Sequence, residues 1–342
     1  MYRFNNDYSE CAHPRILKAL LATSEEQYTG YGADEITEQA KKRIREKCRN
    51  DNVDIHFISG GTLTNLTFIS HALKPYEAVI AASTGHINVH ETGAIEATGH
   101  KVIDVETNDG KLTPELIQPI LDEHVDEHSV LPAMAYISNT TEVGTVYTLE
   151  EIKRLSEYCH AKELLLYLDG ARLSMGLAVE ESNLQFSHLA EYLDAFYIGG
   201  TKCGAMFGEA LILVKEDLKK NFRYHMKQHG AIMAKGWITG LQFYELFQDD
   251  LYDKIGKHCN EMACILKTFF TEQGYTFSTH SKTNQIFPIL PIEVIKRMSR
   301  DYMVAEWKKI DETHTAVRFC TSFATTQQEI ERFCNDFQNY VK

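Results

Sequence analysis

The stretch that decides the fold is LLLYLDGARLSMGLAVEESNLQFSHLAEYLDAFYIGGTKCGAMFGEALILV (Leu164–Val214). Its beginning, its middle and its end are runs that are apolar on both faces, as in strands covered by helices on two sides. A helical pattern separates the first two runs, and alternation of strand and helix is typical of a parallel sheet. The stretch therefore predicts an α/β fold.

The same alternation extends upstream to residue 53. The predicted strands are Val53–Ser59, Ala78–Ser83, Lys101–Glu106, Ala133–Asn139, Leu164–Asp169, Ala195–Gly200 and Ala210–Val214. Between them, one helical segment has Thr113 as a candidate N-cap followed by Pro114, and another has Thr148 and Glu151 at capping-box spacing. We predict a doubly wound, mostly parallel sheet sandwiched by helices.

The pattern changes after about Gly240. A long helical stretch, Leu241–Gln273, precedes several short strands, and a helix over Thr326–Tyr340 closes the chain. The short strands are predicted at Thr276–Ser278, Gln285–Leu290, Met303–Trp307 and Ala316–Thr321. We predict an N-terminal arm (1–13), a large cofactor-binding domain (14–240) and a smaller C-terminal α+β domain (241–342).

Composition excludes several classes of protein. The chain has 35 Lys and Arg against 48 Asp and Glu, a net charge of −13, so it lacks the surplus of cations that nucleic acid or an anionic membrane surface attracts. The eight cysteines form no C-x-x-C pair, which favours reduced thiols and gives no metal site. The first ten residues lack the basic start and apolar run of a signal peptide. We expect a cytoplasmic protein with no nucleic-acid or membrane partner.

Ligands of open α/β sheets bind beyond the carboxyl ends of the strands, so we expect the reactive side chains where strands end. Lys202 follows a strand among glycines, where loss of water makes an amine nucleophilic; the alternative is a solvated loop lysine. Asp169 ends a buried strand. It would either pair with a protonated ring nitrogen, as in pyridoxal 5'-phosphate (PLP) enzymes, or cap a helix.

Three further groups complete a set, two of them at strand ends and one, Arg318, in the middle of a strand of the small domain. Gly60-Gly61-Thr62 opens a helix whose N–H groups could bind a phosphate, or it is an ordinary turn. His86 could stack on an aromatic cofactor or act as a base, or it is only a loop histidine. Arg318 could bind a substrate carboxylate, or it makes an internal salt bridge. Together these groups predict a PLP enzyme that acts on an amino acid.

The chain resembles the threonine aldolases of the β-eliminating lyase superfamily, which are fold-type I PLP-dependent enzymes. The resemblance spans nearly the whole chain, and the D-G-A-R motif at Asp169–Arg172, about thirty residues before Lys202, is its most specific part. The other matching segments are NNDYSECAHPRILKAL, YTGYGAD (Tyr28–Asp34), SGGTLTN (Ser59–Asn65), GHINVHETGA (Gly85–Ala94), NTTEVGTVYTLEEI (Asn139–Ile152) and AVRFCTS (Ala316–Ser322).

The resemblance implies a role for each candidate residue. Lys202 forms the Schiff base with PLP, Asp169 pairs with the pyridine nitrogen, and His86 stacks on the ring and takes part in proton transfer. The remaining implied roles are phosphate binding by Gly61, Thr62 and Thr201, carboxylate binding by Arg172 and Arg318 (Arg172 also contacting the cofactor), and substrate contacts from Asn6 and from Tyr31 of a neighbouring subunit. The resemblance also implies a homodimer or homotetramer whose subunits share active sites.

The implied reaction is retro-aldol cleavage of a β-hydroxy-α-amino acid, such as threonine or allo-threonine, to glycine and an aldehyde, with His86 as base directly or through water. An amino-acid β-eliminating lyase or an aminotransferase of the same fold is the alternative, and a non-catalytic PLP-binding module is a further one. A nicotinamide dehydrogenase is disfavoured, because no G-x-G-x-x-G follows the predicted strands.

The chain departs from the common family pattern in three places. Asn6-Asp7 replaces an S-D pair, Asn139–Val143 replaces N-T-H-N-G, and Thr201-Lys202-Cys203 replaces S-K-G. The second difference removes a histidine on the predicted substrate side. The identity of the base and the exact substrate therefore stay open at the level of sequence.

Overall fold

The computed structural model describes all 342 residues. The strands are β1 (Tyr2–Arg3), β2 (Asp54–Ile58), β3 (Glu77–Ala82), β4 (Val102–Val105), β5 (Leu131–Ser138), β6 (Leu165–Asp169), β7 (Ala195–Gly199), β8 (Glu209–Leu213), β9 (Gln285–Ile286), β10 (Ile289–Pro291), β11 (Tyr302–Met303), β12 (Ala305–Lys309) and β13 (His314–Cys320). The α-helices are α1 (Pro14–Ala22), α2 (Glu35–Cys48), α3 (Gly61–Ala72), α4 (His86–Val89), α5 (Pro114–Glu123), α6 (Leu149–Ala161), α7 (Leu173–Leu177), α8 (Phe186–Tyr192), α9 (Phe222–Gln228), α10 (Trp237–Leu246), α11 (Leu251–Glu272), α12 (Ile292–Met298) and α13 (Gln327–Val341).

A seven-stranded sheet forms the centre of the molecule, with the strand order β2-β8-β7-β6-β5-β3-β4. Its pairs are parallel except around β8, which runs antiparallel to both β7 and β2. All seven strands lie where the apolar runs predict them, to within two residues at each end. The predicted mostly parallel sheet is confirmed, and β7 and β8 form a hairpin whose connection contains Lys202.

Helices cover both faces of this sheet. Neighbouring residues of β3 show why, because Ala78 and Ile80 belong to one apolar cluster of 41 buried residues and Val79 and Ala81 to another of 20. Successive side chains of a strand point to opposite faces, so a strand that is apolar throughout needs cover on both. The capping box of α6 also forms as predicted, with Thr148 and Glu151 each accepting a hydrogen bond from the other's backbone N–H.

The predicted single helix over Leu241–Gln273 is wrong, because the structure has two helices there. α10 starts earlier, at Trp237, and ends at Leu246, and α11 begins at Leu251. Asp249 and Asp250 lie between them with left-handed backbone angles, φ +54° each. Aspartate tolerates this conformation better than most residues, and the Asp250 carboxylate binds Lys47 at 2.8 Å. The apolar spacing continues across the break and therefore concealed it.

The C-terminal part forms a small sheet in the order β10-β13-β12, with β9 also paired to β13. The predicted strand Gln285–Leu290 is interrupted around Pro288, which has no N–H to donate to a strand partner. The predicted strand Thr276–Ser278 is wrong, because the segment makes only one isolated bridge, Phe277 to Pro288. α13 begins at a second capping box, Thr326 with Glu329.

Residues 1–13 contact the C-terminal part of the chain at their start and the connection between β7 and β8 at their end. β1 pairs in parallel with β11, Phe4 is fully buried in the third apolar cluster, and the Phe4 carbonyl accepts a 2.7 Å hydrogen bond from Cys320 N–H. Farther along, His13 N–H donates to the Gly204 carbonyl at 2.7 Å. Residues 1–13 thus contact both parts of the chain, and the proposed domain boundaries stay predictions.

No helix in the structure combines the length and the apolar character needed to cross a membrane.

Candidate active site

A cleft of about 540 Å³ opens at the carboxyl ends of the parallel strands. Its wall contains most of the predicted site residues: Gly61, Thr62, His86, Arg172, Thr201, Lys202 and Arg318. They come from the segments that follow β2, β3, β6 and β7 and from β13 of the small sheet. Sheet topology therefore brings together side chains that lie far apart in the sequence, as expected for a strand-end site.

Lys202 lies in the tight connection between β7 and β8. Backbone N–H groups of Cys203 and Ala205 both donate to the Gly200 carbonyl, at 2.9 and 3.0 Å. A side chain at Gly200 would come within 2.5 Å of the Gly208 carbonyl oxygen, so only glycine fits there. The Lys202 ammonium makes no hydrogen bond or ion pair within the chain, although its charge acts on Asp7 and Glu209. The backbone that carries Lys202 is thus fixed, and its amine is available to a ligand in the cleft.

Asp169, at the end of β6, is buried with polar partners on all sides. Its carboxylate accepts hydrogen bonds from the phenols of Tyr136 and Tyr197, from the Asn65 amide at 3.2 Å and from Ala171 N–H at 3.0 Å. Burial alone would raise the pKa of Asp169, but the charge of His86 and these hydrogen bonds outweigh it and hold the pKa below its ordinary value. The carboxylate is therefore ionised at neutral pH.

The N-terminus of α3 borders the same cleft. Its N-cap is Gly60, which has no side chain to bind the first N–H groups of the helix, and these groups have no partner inside an α-helix. A side chain at Gly61 would lie 3.2 Å from the Tyr197 phenol oxygen, so glycine keeps this approach open. With the Thr62 hydroxyl at the second helical position, the arrangement suits an anion.

His86 has a partner that sequence reasoning missed. Its Nδ1 lies 2.7 Å from Oε1 of Glu91, whose side chain is buried, and the Asn65 amide donates to the same oxygen at 2.8 Å. Burial lowers the pKa of His86, but the hydrogen bond to Glu91 and the charges of Glu142 and Asp169 raise it by more, so that the net pKa lies above its ordinary value. Glu91 therefore fixes one ring nitrogen and favours the imidazolium form.

The two arginines differ in how far they are already occupied. Arg172 donates from Nε and Nη2 to the Asp7 carboxylate at 2.7 and 3.1 Å, and its Nη1 lies 3.9 Å from Glu142. Arg318 donates only to the Asn5 carbonyl, at 3.2 Å, while its Nε is buried without a partner and its guanidinium lies over the Trp307 ring. Arg318 is therefore the freer group for a ligand carboxylate.

Glu209 is a second residue that the sequence did not reveal. It opens β8, accepts hydrogen bonds from the Thr201 hydroxyl at 2.8 Å and from Gly200 N–H at 2.9 Å, and lines the cleft. Burial raises the pKa of Glu209 to about 7, against the opposing effects of these hydrogen bonds and of the Lys202 charge. The Thr201 hydroxyl is thereby already engaged within the chain.

Asp169 lies beneath the cleft, bonded to Tyr197 of its wall, and two further predicted residues lie outside the cleft. Asn6 uses its side-chain oxygen to accept hydrogen bonds from Tyr8 N–H and the Ser9 hydroxyl, at 3.0 and 2.9 Å. Tyr31 is half exposed and lines a different pocket, beside His56 and Arg223. The roles of both residues stay predictions.

The missed residues share one feature, namely a polar side chain inside a segment that the resemblance or the strand pattern already singled out. Glu91 stands in GHINVHETGA, Asn65 in SGGTLTN and Glu209 in GEALILV. Each is almost fully buried, and a buried polar group requires a partner. Glu91 and Glu209 bind His86 and Thr201 of their own segments, whereas the contacts of Asn65 with Glu91 and Asp169 join segments that lie far apart in the sequence.

The site fits PLP on three observations of the chain itself. A buried carboxylate that stays charged, Asp169, suits a protonated ring nitrogen; the uncapped N-terminus of α3 suits a phosphate; and the unpaired amine of Lys202 suits an aldehyde carbon. Asn65 links the floor of the site to the His86–Glu91 pair by donating to both carboxylates.

Comparisons with known proteins agree with this geometry. The sequence profile of the family described as Beta-eliminating lyase matches residues 14–290. A low specificity L-threonine aldolase of Pseudomonas aeruginosa is 30% identical over 266 residues, which is 77% of each chain. A solved structure of Leishmania major threonine aldolase is 45% identical with a TM-score of 0.98 and covers 100% of both chains. An aspartate aminotransferase of Thermus thermophilus, 14% identical with a TM-score of 0.71 over 99% of this chain and 91% of its own, shares the fold. The chain belongs to the β-eliminating lyase family.

Proposed function

We propose that the chain is a PLP-dependent carbon–carbon lyase that cleaves threonine, allo-threonine or a similar β-hydroxy-α-amino acid to glycine and an aldehyde. The observation that carries the proposal is one cleft that combines the Lys202 amine, the free N-terminus of α3 and, below them, the Asp169 carboxylate. The full-length similarity to a threonine aldolase supports this reaction over others of the same fold.

The residues that would hold PLP are Lys202 at its aldehyde carbon, Asp169 at its ring nitrogen, and Gly61 and Thr62 at its phosphate, with Thr201 beside them. When bound, PLP supplies an electron sink for the pair that remains when the Cα–Cβ bond of the substrate breaks. Asp169 would keep the ring nitrogen protonated, because its lowered pKa leaves the carboxylate ionised at neutral pH.

Arg318 binds the α-carboxylate of the substrate in this proposal, because it lines the cleft and only its Nη2 donates a hydrogen bond within the chain. Arg172 adds a second positive charge to the cleft wall, and Asp7 holds its guanidinium in one orientation. Fixing the carboxylate selects the rotation about the N–Cα bond, and that rotation decides which bond of Cα is broken.

His86 contributes its ring and its proton. Its Nδ1 is fixed by Glu91, so the ring has one orientation in the cleft and its other nitrogen is free to meet a ligand. We propose that the ring packs against the cofactor and that it supplies or relays a proton during turnover.

We also propose a cytoplasmic homo-oligomer, a homodimer or homotetramer, in which Tyr31 of one subunit serves the cleft of another. In support, Tyr31 is exposed at 51% and lies outside the cleft of its own chain. All eight cysteines are free thiols, which suits a reducing compartment.

The test is a product assay. The protein is incubated with PLP and with L-threonine, L-allo-threonine or phenylserine, and glycine and the aldehyde are quantified. Formation of both supports the proposal; ammonia with a keto acid would instead indicate β-elimination, and a new amino acid formed from an added keto acid would indicate transamination. Borohydride should attach the cofactor to Lys202, and covalent attachment in Lys202→Ala would overturn that assignment.

A further inference from the structure

We propose that the Glu142 carboxylate takes the proton from the β-hydroxyl of the substrate, which makes Glu142 a catalytic residue of the cleavage reaction. The inference rests on the proposed function and deepens it, because it names the base that the sequence left open.

Glu142 stands at a strand end, in the turn that follows β5. Hydrogen bonds from Thr141 N–H to the Thr145 carbonyl and from Gly144 N–H to the Thr141 carbonyl, each 3.0 Å, close the turn. The Thr145 hydroxyl ties it to the Asp109 carbonyl at 2.7 Å. The turn is therefore fixed, and the Glu142 side chain, 6% exposed, lines the cleft that contains Lys202.

The Glu142 carboxylate accepts no hydrogen bond from the chain. Its nearest cation is Nη1 of Arg172, at 3.9 Å, which is too far for a hydrogen bond. A carboxylate removed from water without donors is destabilised, and buried polar groups normally have partners. A ligand hydroxyl that enters the cleft would supply the missing donor.

The other acidic groups around the cleft are already engaged. Asp7 binds Arg172 and Asn284, and Glu209 binds Thr201 and a backbone N–H. Glu91 and Asp169 lie below the cleft and share Asn65. Glu142 is therefore the one carboxylate in the wall of the cleft that has a free acceptor.

The two histidines of the cleft are weaker candidates for this step. His86 has one nitrogen on Glu91, and its raised pKa favours the protonated form, which cannot accept a proton. His90 is half-buried, and burial lowers its pKa, although Glu142 opposes that effect. The charge of Glu142 acts on both rings and on Arg172, so all three groups lie near its carboxylate.

The step balances without an oxidant or reductant. The hydroxyl proton moves to Glu142, the O–H electron pair becomes the second bond of the aldehyde carbonyl, and the Cα–Cβ bond breaks. The electron pair of that bond goes to the electron sink named above and finally takes up a proton at Cα, which gives glycine. Glu142 returns its proton to solvent when the aldehyde has left.

The decisive experiment compares two reactions in Glu142→Gln. Glutamine has the same size but does not take up a proton, so threonine cleavage should fall at least roughly 100-fold, the scale of general-base catalysis. Exchange of the α-proton of glycine in D₂O, followed by NMR, should stay within about threefold of wild type, because glycine has no β-hydroxyl. The absorbance of bound PLP should be unchanged. Glu181→Gln, an exposed glutamate paired with Lys282, is the matched control and should alter neither reaction.

Three outcomes would contradict the role of Glu142. Cleavage by Glu142→Gln within about threefold of wild type would exclude it as the base, and an equal loss of both reactions would indicate a structural role. Glu142→Ala provides a second variant, in which added formate should restore cleavage without changing glycine exchange; absence of rescue counts against the proposal. A wild-type protein that exchanges glycine but does not cleave threonine would instead overturn the proposed function, and the assignment of Glu142 with it.

Discussion

Asp7 holds Arg172 through two hydrogen bonds, of 2.7 and 3.1 Å, across 165 residues of sequence, and both side chains are almost completely excluded from solvent. Burial would raise the pKa of Asp7, but the charges of Arg172 and Lys202 and the hydrogen bonds from Arg172 and Asn284 lower it to about 2. The carboxylate therefore stays ionised throughout the physiological range and orients a guanidinium at the edge of the cleft.

Asp7→Asn should destabilise the protein by about 3–5 kcal/mol, because it leaves the buried Arg172 charge without its partner. Urea unfolding of the cofactor-free protein measures the effect. The matched control is Glu181→Gln, which removes an exposed ion pair with Lys282 and should change the unfolding free energy by less than about 1 kcal/mol. Similar small effects for both variants would show that Arg172 finds another partner.

Ionisation of Glu209 should make the free energy of unfolding depend on pH between about 4.5 and 7. Its pKa is about 7 in the folded protein against an ordinary value of 4.5, so between these values the folded state retains a proton that the unfolded state has lost. Protonated Glu209 should therefore contribute its full stabilisation below about pH 4.5. As the pH rises from there through 7, this contribution is lost and the free energy of unfolding should fall by about 3 kcal/mol.

The measurement is urea unfolding of the cofactor-free protein at several pH values for wild type and Glu209→Gln. The variant cannot titrate at this position, so the difference between the two curves should shrink or reverse above pH 7. Parallel curves across the whole range would show that the carboxyl of Glu209 ionises normally.

Glu91→Gln should lower the pKa of His86, because it removes the carboxylate that binds Nδ1 at 2.7 Å. Histidine ring signals in NMR titrations of the cofactor-free protein report the change, and His86→Asn identifies the signal that belongs to His86. Glu91→Asp keeps the charge and should retain more of the elevation than glutamine does. An unchanged titration in Glu91→Gln would mean that Glu142 and Asp169 alone set the pKa.

A subunit-mixing experiment tests the proposed role of Tyr31. Tyr31→Ala and Lys202→Ala should each have low activity alone, but hybrids of the two contain one cleft with an intact Lys202 and a partner's intact Tyr31. In a random mixture of symmetric dimers about a quarter of the wild-type activity should return. If mixing restores nothing while hybrids demonstrably form, Tyr31 serves no neighbouring cleft.

Local and periodic features of this protein could be predicted from sequence, whereas long-range partners could not. The capping box of Thr148 and Glu151 depends on a spacing of three residues, and the positions of Asp169 at a strand end and of Lys202 just after one follow from apolar runs. The contacts of Asp7 with Arg172 and of Glu91 with Asn65 depend on how distant segments pack. The break before Leu251 escaped prediction because the apolar spacing of α10 and α11 remains in phase across it.

The N-terminal segment connects the small sheet to an arginine of the cleft. It pairs with β11 at Tyr2, buries Phe4 among the aromatic side chains of the small sheet, and a few residues later places Asp7 against Arg172. A ligand that restrains Arg172 should also restrain the N-terminal segment, because Asp7 of that segment is bound to Arg172. Amide protons near its start, far from any bound molecule, should then exchange with deuterium more slowly when an amino acid occupies the protein.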